Sequence, residues 1–373
     1  MSGTSKVYFA DFRCPSWREN LTQKLARLMM TAGFGEIDME DKYVAIKMHF
    51  GEPGNLAYLR PNWAKAVADL VKSQGGKPFL TDCNTLYIGG RKNALDHLES
   101  AYINGFTPYS TGCHILIADG LKGSDEVSVP VEGGEYVQEA KIGRAVMDAD
   151  VFISLTHFKG HEQAGMGGAL KNIGMGCGSR AGKMEQHASG KPFVAQDSCI
   201  GCKACAKICA HGAPQFGPDG KASIDQDKCV GCGRCLAVCP KDAVQSLYDE
   251  APEILNKKIA EYTKAVVSGR PCFHVSLVLD VSPNCDCHGE NDVPIAADVG
   301  MFASFDPVAL DQACADAVVS QPPMPGSVLF DKGVDCSCGD VFKAAHPETH
   351  WQSCLEHAEK LGIGSRKYEL IKI

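Results

Sequence analysis

Residues 199–209 read CIGCKACAKIC, and residues 229–240 read CVGCGRCLAVCP. The two runs share one order: Cys199-x2-Cys202-x2-Cys205-x3-Cys209, then Cys229-x2-Cys232-x2-Cys235-x3-Cys239, closed by Pro240. A C-x2-C-x2-C loop wraps three thiolates around one [4Fe–4S] cube. The fourth cysteine, beyond a three-residue gap, points away and ligates the other cube. The spacing therefore predicts two [4Fe–4S] clusters with crossed ligands. Cys199, Cys202, Cys205 and Cys239 take one cluster; Cys229, Cys232, Cys235 and Cys209 take the other. Paired zinc sites also use C-x2-C, but eight cysteines in this repeated order favour cubes. A segment of this kind moves electrons one at a time.

Working outward, the cysteine runs sit in an internal repeat with a 30-residue offset. DSCIGCKACAKICAHGAPQF (197–216) aligns with DKCVGCGRCLAVCPKDAVQS (227–246). Each copy reads as a cluster loop, a short helix and a short strand. The unit resembles a two-cluster bacterial ferredoxin module and is expected to be an α+β insertion over residues 189–247. It divides an α/β domain into a first part, 1–188, and a second part, 248–373.

The flanking segments alternate strand and helix. Val7 to Ala10, Tyr43 to Phe50, Pro78 to Asp82, His114 to Asp119, Val151 to His157 and Cys272 to Val281 read as strands, and KYELIKI ends the chain as another. Leu21, Leu25, Leu28 and Met29 share one helical face. Pro61 opens a helix, Pro252 to Val267 reads as helical, and Asp306-Pro307 caps a helix running toward Val319. This alternation predicts an α/β fold with a mostly parallel sheet and helices on both faces. Active residues of such sheets lie beyond the carboxyl ends of strands. That rule selects Lys47 and His49, Asp82-Cys83-Asn84, and Thr156-His157.

The segment THFKGHEQAGMGGALKNIGMGCGSRAGKMEQH (156–187) concentrates histidines, lysines and glycines after a buried strand. Glycines let backbone approach a ligand and supply amides to anions. Histidines exchange protons near neutral pH or bind metal. The candidate catalytic residues are His157, His161, Lys171 and His187. The candidate binding residues are Lys47, His49, Lys159, Gly165, Gly167 and Gly168. A flexible surface loop is the plainer alternative for this segment. No G-x4-G-K-[ST] phosphate loop and no dinucleotide fingerprint occurs.

Two further pairs remain, Cys285-x-Cys287-His288 and Cys336-x-Cys338. Alternate residues of an extended strand share a face. Each pair can offer two thiolates to one place, so all four are a candidate third site for zinc, nickel or iron. Free thiols are the alternative. Cys14, Cys83, Cys113, Cys177, Cys272, Cys314 and Cys354 read mostly as core cysteines by default, with Cys83 and Cys177 as exceptions in loops near the candidate site.

VAIKMHFGEPGN (44–55), the 156–176 stretch, NCDCHG (284–289) and ASFDPVALDQA (303–313), with the ferredoxin pair inserted, resemble the domain-of-unknown-function 362 family of iron–sulfur proteins over nearly the whole chain. More locally, Gly165-x-Gly167-Gly168-x-x-Lys171 is similar to the cofactor-attachment segment of nickel-pincer lactate racemases. That resemblance implies a cofactor-anchoring Lys171, a metal-ligating His187 and an acid/base His161. The racemases carry a second acid/base histidine in an earlier loop, where TDCNTLYIGG here has none, and they lack a ferredoxin insertion. The shared pattern implies a related fold and site with a different reaction.

The net charge of −8 and a pI near 5.8 leave no basic domain for nucleic acid. No signal-peptide core and no run of about 18 apolar residues occurs. The expected setting is cytoplasmic, with reduced thiols and protection from oxygen. The sequence thus reads as an oxidoreductase whose two clusters relay electrons to a substrate or metal site in the α/β domain. The expected partners are a redox protein or a small anionic substrate. A non-catalytic electron carrier or metal-maturation partner is the alternative, and racemase- or epimerase-like chemistry with structural clusters a third.

Overall fold

The computed structural model describes residues 3–187, 191–247, 250–331, 333–337 and 339–373. Apolar runs that are buried on both faces set its centre. Val151–His157 is buried at all seven positions and Cys272–Val278 at six of seven, the pattern of parallel strands covered by helices on either side. Eight strands form one sheet: β1 Ser5–Ala10, β2 Tyr43–Lys47, β3 Lys77–Asp82, β4 His114–Ile117, β5 Val151–His157, β6 Cys272–Val278, β7 Gly300–Ser304 and β8 Tyr368–Lys372. Their order is β8-β1-β7-β6-β5-β2-β3-β4. All neighbouring pairs are parallel except those that β7 makes with β1 and β6. Strands from before and after the inserted unit therefore share one sheet.

Local sequence explains the helices around it. Asn20 caps Leu21–Thr31 through a reciprocal box with Gln23, and Leu25, Leu28 and Met29 turn inward. Pro61–Ser73 starts on its proline and buries Trp63, Ala64, Val67, Ala68 and Val71. Asp306 accepts hydrogen bonds from Val308 and Ala309 at the start of Pro307–Val319, as its Asp-Pro signal predicts. Pro252–Val267 crosses close to Ala169–Cys177. At that crossing a side chain on Gly174 would lie 2.1 Å from the carbonyl oxygen of Ile259, so only glycine permits the approach.

The structure differs from expectation in its small elements. The 114–119 and 272–281 strands stop at Ile117 and Val278. The antiparallel β7 carries no strong alternation and was not predicted. The glycine-rich segment is not a surface loop. It forms a hairpin, Lys159–His161 with Gly165–Gly167, followed by helices Ala169–Cys177 and Arg180–His187, nearly all buried. Cys14 is exposed rather than part of the core.

The inserted unit, described over 191–247, has two hairpins. Pro192–Val194 pairs with Val244–Ser246, and Pro214–Phe216 with Ala222–Ile224. Short helices Ala204–Ile208 and Arg234–Val238 pack on each other. The expected boundary at Ser189 and residue 248 lie outside the described residues. Among the described residues no helix is long and apolar enough to cross a membrane.

Candidate functional site

The chain runs β2, β3, β4 outward and then returns to place β5 on the other side of β2. A reversal of this kind opens a crevice at the carboxyl ends of the strands. A cavity of about 620 Å³ lies there. It is lined from β2 by Lys47 and His49, from β3 by Asp82, from β5 and its hairpin by His157, Lys159 and His161, and from the loop after β6 by Cys285, Asp286 and Cys287. Gly167, Gly168, Lys171 and His187 also line it. Gly165 does not; a side chain there would meet Thr349 and Trp351.

The cations divide into two groups. Lys47, Arg91 and Lys159 are buried and committed to carboxylates. Lys47 Nζ lies 3.0 Å from Asp82 Oδ1 and donates to Asn172 Oδ1 at 2.8 Å. Arg91 donates to Glu52 Oε2 at 2.8 Å and faces Asp82 at 3.7 Å. Burial would raise the Asp82 carboxyl, but Lys47, His97 and His49 hold it well below the usual range. Burial likewise works against the Lys159 ammonium, and Asp286, Cys285 and Cys287 outweigh it. Lys171 and Lys183 form the second group. Neither pairs with a carboxylate among the described residues. Lys183 Nζ donates to the Gly178 carbonyl at 2.6 Å, and Lys171 Nζ faces Cys285 Sγ at 4.0 Å.

The histidines take distinct forms. His157 presents Nδ1 to Asp286 Oδ2 and Nε2 to the Leu279 carbonyl, both at 2.8 Å. Held at both ring nitrogens, this side chain is a strut that fixes the loop after β6. His161 Nδ1 accepts from the amides of Gln163 and Ala164, which puts its proton on Nε2, and burial lowers its pKa. His49 Nδ1 accepts from Gly51, and burial takes its pKa down to about 3. Burial, then Lys171, takes His187 to about 3 as well. His49, His161 and His187 are thus neutral near pH 7.

Cys285 and Cys287 are hydrogen-bonded to each other. A hydrogen bond from Cys287 lowers the Cys285 pKa well below the usual thiol value against the cost of burial, with Lys159, Lys171 and His161 assisting. Cys287 is raised in consequence. Lys159 Nζ lies 3.8 Å and Lys171 Nζ 4.0 Å from the Cys285 sulfur. Cys336 is not among the residues lining the cavity; it packs against the apolar cluster that holds Leu329, Val341 and Phe342, and its thiol reaches the Leu329 carbonyl at 3.5 Å. Cys338 lies outside the described residues. Cys83 lines the cavity and donates to the Cys177 carbonyl, and burial raises both thiols.

Most glycines of the 156–187 segment serve packing rather than ligand approach. Side chains at Gly160, Gly168 and Gly182 would strike Pro283 O, the Asp311 carboxylate and Lys141 O. Glu52, Arg91, Glu162 and Asp286 line the cavity without having been selected from the sequence. Glu162 adjoins His161, and Asp286 sits inside the C-x-C, so adjacency was the signal available; Glu52 and Arg91 gave none.

In the inserted unit two small cavities follow the crossed grouping. One is lined by Cys199, Cys202, Cys205 and Cys239, the other by Cys209, Cys229, Cys232 and Cys235. Left-handed residues at Gly201, Lys203, Gly231 and Gly233 curl both loops. The amides of Ala222 and Ala243 point at Cys199 Sγ and Cys239 Sγ, at 3.3 and 3.2 Å. Both donor sets fit a four-thiolate cluster. Leu86 and Met184 of the α/β domain pack into the same apolar cluster as Cys205 and Cys239, and Leu86 also lines the large cavity. Lys92 adds a hydrogen bond to the Cys239 carbonyl at 3.0 Å and an ion pair with Asp242.

A family model described as a domain of unknown function (DUF362) matches residues 44–316. A thylakoid-associated protein of Synechocystis sp. is 30% identical over 131 residues, 34% of this chain and 35% of its own length. The match thus spans about a third of that relative. Two solved structures are similar at 11% identity. The lactate racemase apoprotein from Thermoanaerobacterium thermosaccharolyticum has a TM-score of 0.34, over 74% of this chain and 51% of that one. A protein from Thermotoga maritima has a TM-score of 0.39, over 83% and 60%.

Proposed function

The chain belongs to the DUF362 family, and from that premise we propose that it is an iron–sulfur oxidoreductase that acts on a small anionic compound. Cys199, Cys202, Cys205 and Cys239 would hold one [4Fe–4S] cluster, and Cys209, Cys229, Cys232 and Cys235 the other. Bound there, the clusters supply one-electron transfer. The observation that carries the reading is the shared wall: Leu86 belongs at once to the apolar cluster around Cys205 and Cys239 and to the lining of the large cavity.

Within the cavity, Lys171 and Lys183 are the cations left for a carboxylate or phosphate. Neutral His161 carries its mobile proton on Nε2 and is placed to deliver it to a substrate gaining electrons. Lys47, Arg91 and His157 hold the walls through their ion pairs. Cys202 is exposed near the exposed Ile200, a surface that suits an electron-donating partner.

The test is anaerobic. Protein reduced with dithionite is mixed with a panel of carboxylates and phosphate esters, and cluster reoxidation is followed optically. A compound that reoxidises the wild type should fail with Lys171→Met, whose cluster spectra are unchanged. Equal reoxidation of both proteins would remove the site assignment. Fewer than about four irons per chain would remove the cluster assignment.

A further inference from the structure

We propose that Glu162, Cys287 and His288 form a mononuclear metal site on the wall of the cavity, for a divalent first-row ion such as zinc or ferrous iron. One ligand atom from each of these residues lies within 4.8 Å of the other two. His288 Nε2 and Glu162 Oε1 are 3.1 Å apart, close enough for one ion to bind both. The three come from segments distant in sequence, the hairpin after β5 and the loop after β6. The parallel pairing of β5 with β6 brings them together.

The donor set selects the ion. One cysteine sulfur, one imidazole and one carboxylate suit borderline metals and are poor partners for magnesium or calcium, the Cys287 thiol giving up its proton as the ion binds. Three protein ligands leave a coordination position for water or substrate, the arrangement of catalytic rather than structural zinc. All three residues line the cavity, as does Lys171.

The surroundings are built as an outer shell. Glu162 Oε2 accepts the Cys285 amide at 3.3 Å, which fixes the carboxylate. Asn55 Nδ2 holds the His288 carbonyl at 3.0 Å, and the Glu52 amide holds that of Asp286 at 3.0 Å. The loop is thus pinned at two carbonyls before any ion arrives. The site takes one cysteine, Cys287, from the Cys285-x-Cys287 pair and joins it to a glutamate and a histidine.

The site is independent of the cluster cysteines, so its test stands whether or not the redox proposal does. Anaerobically purified full-length protein, with its iron counted, is titrated with zinc(II) and examined at the zinc absorption edge. About one zinc should bind per chain, with one sulfur neighbour near 2.3 Å and nitrogen or oxygen neighbours near 2.0–2.1 Å. Cys287→Ser and Glu162→Gln should each weaken zinc binding by roughly tenfold or more. Cys336→Ser should leave it unchanged. His288→Ala carries the same expectation at a partly exposed side chain, in case Cys287→Ser does not fold. A shell without sulfur, a shell of four sulfurs, loss of binding in Cys336→Ser, or wild-type binding in Glu162→Gln would each overturn the assignment.

Discussion

The crossed grouping of cysteines makes a prediction that iron counting alone can decide. The two small cavities are lined by 199/202/205/239 and by 209/229/232/235. Each run therefore sends its last cysteine to the other cavity. A protein with two [4Fe–4S] clusters holds about eight irons, and loss of one thiolate of four is expected to empty one cavity, leaving about four. A single variant cannot separate crossed from uncrossed ligation, because both give about four. Pairs of variants do. Cys209→Ser combined with Cys229→Ser damages one cavity twice, and iron should remain near four. Cys209→Ser combined with Cys199→Ser damages both, and iron should fall toward zero. Uncrossed ligation gives the opposite result for each pair. The assay is iron and acid-labile sulfide per chain after purification without oxygen, with far-ultraviolet circular dichroism to confirm that the α/β domain is folded. Iron near zero in Cys209→Ser/Cys229→Ser, with about four retained in Cys209→Ser/Cys199→Ser, would refute the crossed arrangement.

Three further outcomes test the scaffold that holds the cavity. Gly174→Ala should cost roughly 1–3 kcal/mol by overpacking, because its methyl would lie 2.1 Å from Ile259 O; an unchanged urea midpoint would refute that close approach. Asp311 accepts the Ala169 and Leu170 amides at 2.6 and 2.9 Å at the start of the helix bearing Lys171, and burial pushes its pKa up to about 7. Against an unfolded value near 3.9, the folded state holds the extra proton between about pH 4 and 7. Stability from this group is then greatest below pH 4 and falls by about 4 kcal/mol as pH rises to 7. Asp311→Asn should flatten that slope in urea titrations at several pH values, and an unaltered slope would contradict it. Glu261 works in the opposite sense. It accepts amides of residues 135–137 and faces His357 at 2.8 Å, which together hold its pKa below the usual range despite burial. Its contribution is present above the unfolded glutamate pKa and disappears on acidification. Glu261→Gln should cost about 1–3 kcal/mol at pH 7 and less at pH 3; an equal cost at both would contradict the charge assignment.

The parts of this architecture that are legible from sequence are those governed by local rules. Asp306-Pro307 caps its helix because the capping bond spans two residues. Val151–His157 reads as a buried strand because all seven positions lack solvent. The cysteine spacing carries its own geometry. What stays hidden depends on neighbours supplied by the sheet. Glu162 reads as an ordinary charged residue until the pairing of β5 with β6 sets it 3.1 Å from His288. Gly174 and Gly168 look like ligand-binding glycines, yet the first admits a crossing helix and the second the Asp311 carboxylate. Their chemical permissiveness is identical in either use, and only the partner distinguishes them.

The same reasoning explains where the insertion leaves the α/β chain. Helix Arg180–His187 precedes the inserted unit in the chain, and its last residue, His187, lines the cavity. Met184 and Arg180 of that helix meet the unit directly, Met184 in its apolar cluster and Arg180 against Gly233. The covalent link and the packed contact thus coincide on one short, buried helix. A tether at a remote surface loop would allow many docking geometries, whereas this one admits few. Fixed separation is what a one-electron relay requires, and it also keeps the effective concentration of the donor constant. A carrier that serves an outside partner has no need of such a seam on its inner face. On the function proposed above, the packing of Leu86 and Met184 into the unit's apolar cluster suits an acceptor inside this chain.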